Sequence, residues 1–231
     1  MFHPSELQFP DVTPQATHAK SFSQEQSFSP GLYRRAGKRA LDITVVLAAA
    51  PFVLLLIAVL AIVVAKDRSN PFYSQDRVGY RGRTFRLWKL RTMVPDADAC
   101  LATHLATNEE AREEWQLTQK LHNDPRVTPF GRFLRRTSLD ELPQLFNVLR
   151  GDMSLIGPRP MMVEQRSMYP GSEYFLLRPG VTGLWQVSER HSTTFAARAT
   201  YDAEYHATLS LATDLRTLLR TVVVVMRATG V

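Results

Sequence analysis

The chain has 231 residues, one cysteine and a net charge of +6 at neutral pH. A lone cysteine, Cys100, excludes an internal disulfide framework and suits a reducing compartment, and the basic excess favours anionic partners: nucleic acid, anionic lipid or nucleotide-sugar phosphates. No nucleic-acid-binding motif accompanies the charge, and the basic residues form no single dense tract, which leaves lipid and phosphate.

Residues 1–32 are rich in Ser, Gln, Pro and His without a sustained period, and read as a disordered tail. Residues 33–68 follow as a basic-flanked membrane segment. From Ile43 to Ala65 only Thr44 is polar, a run long enough to cross a bilayer, for which about 20 apolar residues suffice. Pro51 lacks an N–H and disfavours helical angles at Ala50, so a kink or break is expected there. A kinked span remains open. Arg34, Arg35, Lys38 and Arg39 before the run, with Lys66 and Arg68 after it, make both ends look cytoplasmic, and a re-entrant hairpin breaking at Pro51 satisfies both flanks.

Asn70 to Met93 reads as a β-hairpin turning at Gly79-Tyr80-Arg81-Gly82, with Phe85, Leu87, Lys89 and Arg91 on one side of its second strand. Asp96 to His122 is polar and helix-prone, with Glu109, Glu110, Arg112, Glu113, Glu114 and Lys120 on a solvated face and Trp115 as packing. His122 and His191 have no metal-ligand spacing between them.

Arg132, Arg135 and Arg136 then precede Thr137-Ser138-Leu139-Asp140-Glu141-Leu142-Pro143. Proline is tolerated in a first helical turn, which predicts a helix starting near Leu139 or Asp140, carrying Leu142, Leu145, Phe146 and Leu149 and stopping at Gly151. Two readings stand: Ser138 and Glu141 form a capping box with Asp140 complementing the helix dipole, or the paired carboxylates do chemistry on phosphates. In Gly157-Pro158-Arg159-Pro160 two prolines fix the backbone around Arg159, either to aim its guanidinium at a ligand or to pair it with Asp152. Arg178 to Gln186 packs two glycines, Pro179 and Trp185 into a short loop suited to close approach of a nucleotide, or anchored by a buried tryptophan. Leu211 to Ala228, with Arg216, Arg220 and Arg227 interspersed, reads as an interfacial helix; a core helix or dimer contact is the alternative.

The segments KLRTM (Lys89–Met93), DPRVTPFGRFLRR (Asp124–Arg136), LDELPQLFNVLRGDMSLIGPRP (Leu139–Pro160) and RPGVTGLWQVS (Arg178–Ser188) together resemble the bacterial sugar transferase family, over about Lys38 to the C-terminus. These are monotopic polyprenyl-phosphate phosphoglycosyl transferases that begin exopolysaccharide and glycoconjugate assembly. The resemblance implies an α/β, mostly helical monotopic membrane protein at the cytoplasmic face of the bacterial inner membrane: a re-entrant helix-break-helix hairpin, a small β-hairpin, and amphipathic interfacial helices around a cytosolic catalytic domain over residues 69–231. The implied reaction moves a hexose phosphate, galactose or glucose, from a UDP-sugar to polyprenyl (undecaprenyl) phosphate. Asp140 is then the candidate nucleophile, forming an acyl phosphate, and Glu141 the ligand of Mg²⁺. Lys89, Arg91, Arg135, Arg136 and Arg159 are expected to neutralise phosphate charge, with Gln186 also at the substrate. A UDP-N-acetylated donor is the nearest alternative, and a non-enzymatic lipid-binding scaffold the more distant one; a homodimer is also compatible. The chain departs from the family pattern at Ala50-Pro51, where Ser-Pro is frequent, at Ser188-Glu189-Arg190, where Ser-Gly-Arg is usual, and at Leu209-Ser210, in place of Trp-Ser.

Overall fold

A computed structural model describes residues 31–118, 121–188 and 194–226. The expected N-terminal tail, apart from its last two residues, and Lys120, Glu189, Arg190, His191 and Arg227 lie outside the described residues. Within them the chain is mostly helical, with two small sheets.

Helix α1 (Lys38–Val64) contains Pro51 in its interior. Of the kink or break expected at this residue, the break does not occur: the helix continues through Pro51. Proline withholds one backbone donor, the one owed to the carbonyl of Leu47, and turns on either side keep theirs. With its flanking turns the helical stretch runs from Tyr33 to Asp67, long and apolar enough to cross a membrane. Its two ends are docked and its middle is not. Near the start, Arg39 donates to the carbonyls of Val148 (2.5 Å) and Leu149 (2.9 Å), and buried Asp42 accepts from Ser154 Oγ and the Leu155 N–H, both at 3.0 Å. Near the end, Leu60, Ala61 and Val64 pack with Leu90, Leu134 and Leu142. Between these contacts Leu47, Phe52, Leu54, Leu55 and Val59 are each more than half exposed.

Strands β1 (Phe72–Val78) and β2 (Thr84–Leu90) form the expected antiparallel hairpin, pairing Arg77 with Phe85 and Tyr73 with Lys89. The polar region that follows is divided at Asn108 into α2 (Ala97–Thr107) and α3 (Glu109–Thr118), and Trp115 there lies against the Arg126 guanidinium. Helix α4 (Pro129–Thr137) starts on a Thr128 cap whose hydroxyl accepts from the Gly131 N–H at 2.9 Å, with proline in the first turn where its missing donor is harmless. Gly131 allows α4 to lie against the hairpin's exit, because a Cβ there would meet the Thr92 carbonyl oxygen at 2.0 Å.

After a 3₁₀ turn at Leu139–Glu141, α5 (Gln144–Arg150) ends at Gly151 in the left-handed region. Strand β3 (Ser154–Ile156) pairs in parallel with β4 (Gly180–Thr182), so part of the segment expected as a loop around Trp185 is strand. This pairing depends on Gly180, where a Cβ would lie 2.1 Å from the Gly157 nitrogen. The short helix α6 (Leu184–Val187) carries Trp185 and Gln186, both buried, followed by α7 (Arg198–Thr208) and α8 (Leu211–Met226). Val46, Leu87, Val148, Met153, Leu155, Ile156 and Tyr205 make the central core. Fully buried Asp214 ties α8 to the start of α1 by accepting from Tyr33 Oη (2.5 Å), Lys38 Nζ (2.9 Å) and Tyr205 Oη (2.7 Å). Leu215, Leu219, Val222, Val223 and Met226 on α8 are exposed, an apolar face turned outward.

Candidate active site

Asp140 and Glu141 sit on the single 3₁₀ turn between α4 and α5, and α4 ends just before them with Ser138 at φ 58°. The expected helix therefore begins later, at Gln144, with Pro143 as its flanking residue. In that left-handed conformation the Ser138 side chain makes no capping bond. Glu141 instead accepts from Lys89 Nζ at 2.7 Å. The capping box is thus not formed, and of the two readings of this motif the structural one loses its hydrogen bonds.

Asn147 explains why the turn meets β2. Fully buried on α5, its carboxamide donates to the Arg86 carbonyl at 2.8 Å and accepts from the Trp88 N–H at 3.1 Å, while its own carbonyl accepts from the N–H groups of Asp152 and Met153. A buried amide with its valences satisfied fixes register as well as contact. It sets α5 beside the outer edge of β2 and brings the Lys89 ammonium between the two carboxylates, 3.6 Å from Asp140 Oδ2 and 2.7 Å from Glu141 Oε1.

Asp140 is buried, with its side chain 8 % exposed against 22 % for Glu141. Burial is the largest influence on it and raises its pKa, with the neighbouring Glu141 charge acting in the same direction and Lys89 and Arg135 opposing. Arg135 is held by Nε donation to Thr92 Oγ1 at 2.9 Å; burial lowers its pKa while the Asp140 charge raises it. The site thus contains one buried carboxylate and one more accessible carboxylate, with Lys89 between them and Arg135 facing the first.

The remaining expected residues are distributed differently. Arg136 is exposed. Arg91 is engaged at the end of α1, donating to both Asp67 carboxylate oxygens (2.6 and 2.7 Å), the Val64 carbonyl (3.2 Å) and the Asn70 carbonyl (2.8 Å); the structure does not bring it to the dyad. Arg159 does not pair with Asp152, which contacts Arg150 and Asn147 instead, and lies over the Trp185 ring at 5.8 Å. Gln186 is buried beside Gly183, whose Cβ would touch its Oε1 at 2.8 Å. Asp42, Arg77, Asn147 and Arg198 were not singled out from sequence. Arg77 had a signal available, since the hairpin register puts it across from Phe85 on the face that carries Lys89; the others acquire their roles only through distant partners.

The family model described as bacterial sugar transferase matches residues 33–228. The chain belongs to the bacterial sugar transferase family. Its relatives include the UDP-galactose-lipid carrier transferase of Erwinia amylovora, 42 % identical over 84 % of this chain and 41 % of that protein. The undecaprenyl-phosphate galactose phosphotransferase of Salmonella typhimurium is 45 % identical over 72 % of this chain and 36 % of its own length. The exopolysaccharide production protein ExoY of Rhizobium meliloti is 42 % identical over 76 % of this chain and 79 % of its own length. The chain therefore spans less than half the length of the first two and most of the third.

Proposed function

We propose that this protein transfers a sugar-1-phosphate from a UDP-sugar to polyprenyl phosphate, as an early step of exopolysaccharide assembly, with Asp140 as nucleophile. The observation that carries this reading is the Lys89-bridged pair of unequal carboxylates, one buried and one accessible. A carboxylate oxygen of Asp140 attacks the β-phosphorus, the bond from that phosphorus to the bridging oxygen breaks, and UMP departs. A phosphate oxygen of the lipid then attacks the same phosphorus and frees the carboxylate. Lys89 and Arg135 offset the charge that moves between these oxygens. The names of the relatives favour galactose or glucose phosphate as the group moved and undecaprenyl phosphate as the lipid.

Magnesium fits the donor set. Two adjacent carboxylates supply hard oxygens, and a Mg²⁺ ion held by one or two carboxylates and substrate phosphates needs no third; no group of three metal-ligating side chains occurs among the described residues. Glu141, the more accessible, would hold it by exchanging or sharing its contact with Lys89. The ion would neutralise diphosphate charge.

The decisive experiment is mass spectrometry of the protein after UDP-sugar alone. A phospho-sugar adduct on Asp140 is expected, and none in Asp140→Asn, which also loses turnover. An adduct on Glu141 would exchange the two roles.

For the membrane, we propose that α1 enters and leaves the same leaflet, bending at Pro51. Support comes from its two docked ends, its exposed apolar middle and its basic flanks, and the exposed face of α8 would lie at the same interface. Single cysteines at positions 29 and 69, introduced after replacing Cys100, are expected to be equally protected from an impermeant thiol reagent in intact cells. Labelling of only one of them would make α1 a span.

A further inference from the structure

Helix α1 bears on the catalytic turn from two sides. Its last turns bring Leu60 and Val64 into one apolar cluster with Leu90, Leu139 and Leu142. Leu139 and Leu142 flank the Asp140–Glu141 pair in the chain, and Leu90 directly follows Lys89. Close packing there fixes the backbone on both sides of the contact between the Lys89 ammonium and the two carboxylates.

The first turns of α1 grip the other end of α5. Arg39 donates to the Val148 and Leu149 carbonyls at 2.5 and 2.9 Å, in the last turn, where a helix supplies few donors of its own. Asp42, 1 % exposed, accepts from Ser154 Oγ and the Leu155 N–H, both at 3.0 Å, where the chain continues as β3. Helix α5 has seven residues, a length that does not hold its own position without tertiary contacts. Val148 directly follows Asn147, whose carboxamide bonds the backbone of Arg86 and Trp88 next to Lys89. The Arg39 contact is therefore transmitted to β2 through α5.

We propose that α1 is a strut for the active site as well as a membrane element: Arg39 at its start and Leu60 at its end are positioning residues that keep Lys89 between Asp140 and Glu141. Arg39 acts from the far end of α5, and Leu60 acts through the leucines beside the three polar groups. A tie at one end alone would leave the short helix free to pivot about it; two ties on one rigid helix do not. The consequence for turnover rests on the transfer reaction above, whereas the consequence for Lys89 does not.

The test reads Lys89 directly. The full chain in nanodiscs is treated with trace acetic anhydride in the absence of donor, and acetylation of Lys89 is measured by mass spectrometry against the exposed Lys66. Arg39→Met keeps an unbranched stem and removes both bonds. It is expected to raise the relative Lys89 rate about fivefold and to lower kcat about tenfold, with KM for the UDP-sugar within about twofold, the pattern of an interaction lost in the transition state. Leu60→Ala should act in the same direction from the other end. Arg39→Lys, which can keep one of the two bonds, should fall between parent and Arg39→Met, and it decides if Arg39→Met does not fold. Tyr169→Phe breaks a hydrogen bond to Asp202 away from α1, and should leave Lys89 labelling at the parent value even where it lowers the melting temperature. Unchanged labelling in the Arg39 variants, an equal rise in Tyr169→Phe, or an unchanged kcat would overturn the proposal. Should the parent show no transfer from any UDP-sugar, the transfer reading fails, and the labelling, scored without donor, still decides the strut.

Discussion

At one end of the β-hairpin the cations are matched: Lys89 faces Asp140 and Glu141, and Arg91 is bonded to Asp67 and to the Val64 carbonyl that ends α1. At the other end Arg77, Arg159 and Arg198 crowd around Trp185, and the adjacent acid, Asp202, is occupied by a tyrosine hydroxyl. The same residue type therefore does different work in two places. Arg91 holds structure together because its donors are used internally, whereas in the second group the Nε atoms of Arg77 and Arg198 are buried without partners, while Arg77 Nη2 donates to Gln75 Oε1 at 2.7 Å. Sequence position alone does not separate them, since Arg91 lies two residues from Lys89 and yet turns to the end of α1.

The largest effect that would test this contrast is at the matched end. Glu141→Gln keeps the size of the side chain and weakens both the Lys89 contact and a carboxylate-bound cation. Transfer activity should fall severely and the Mg²⁺ concentration for half-maximal rate should rise, with a stability loss of about 1 kcal/mol or less. A Mg²⁺ titration beside a melting curve measures both, and an unchanged titration would remove the metal from Glu141.

Arg91→Ala should act in the opposite sense. It removes the donor from the Val64 and Asn70 carbonyls, so stability is expected to drop by roughly 1–3 kcal/mol, with donor affinity nearly unchanged. Should donor affinity collapse while the melting temperature holds, Arg91 would move from the structural to the phosphate-binding group.

The smallest effect concerns Asp202, whose pKa is raised by burial from 3.8 to about 6. The folded state then keeps a proton that the unfolded chain releases, so its stabilising effect is fully present below about pH 4 and is lost as pH rises through about 6. Asp202→Asn should flatten this part of the melting temperature against pH profile, the asparagine carbonyl still accepting from Tyr169. A profile that keeps its slope would mean that another group carries it.

Much of the local structure was legible because it depends on neighbours in the chain. Gly79 and Gly82 flank the hairpin turn, the apolar run from Ile43 produces a long helix, and the strand alternation places Phe85, Leu87 and Lys89 on one face. The break expected at Pro51 is absent, since a single missing donor does not end a helix supported on both sides. The carboxylate pair was visible as a pair, but whether it capped a helix or faced a cation was undecided, because both outcomes satisfy the same four residues.

By itself the sequence determined the β-hairpin, the membrane-length apolar helix and the family, since periodicity and contiguous motifs are read along the chain, whereas β3, β4 and the start of α5 at Gln144 were not read from it. Tertiary structure decided the partners. Asn147 sets the dyad against Lys89, Asp42 and Asp214 fasten α1 and α8 to the core, and the register between β3 and β4 helps carry Arg159 and Trp185 to Arg198. These pairs are far apart in sequence, and a hydrogen bond or a charge repulsion depends on distances in space that no local pattern encodes.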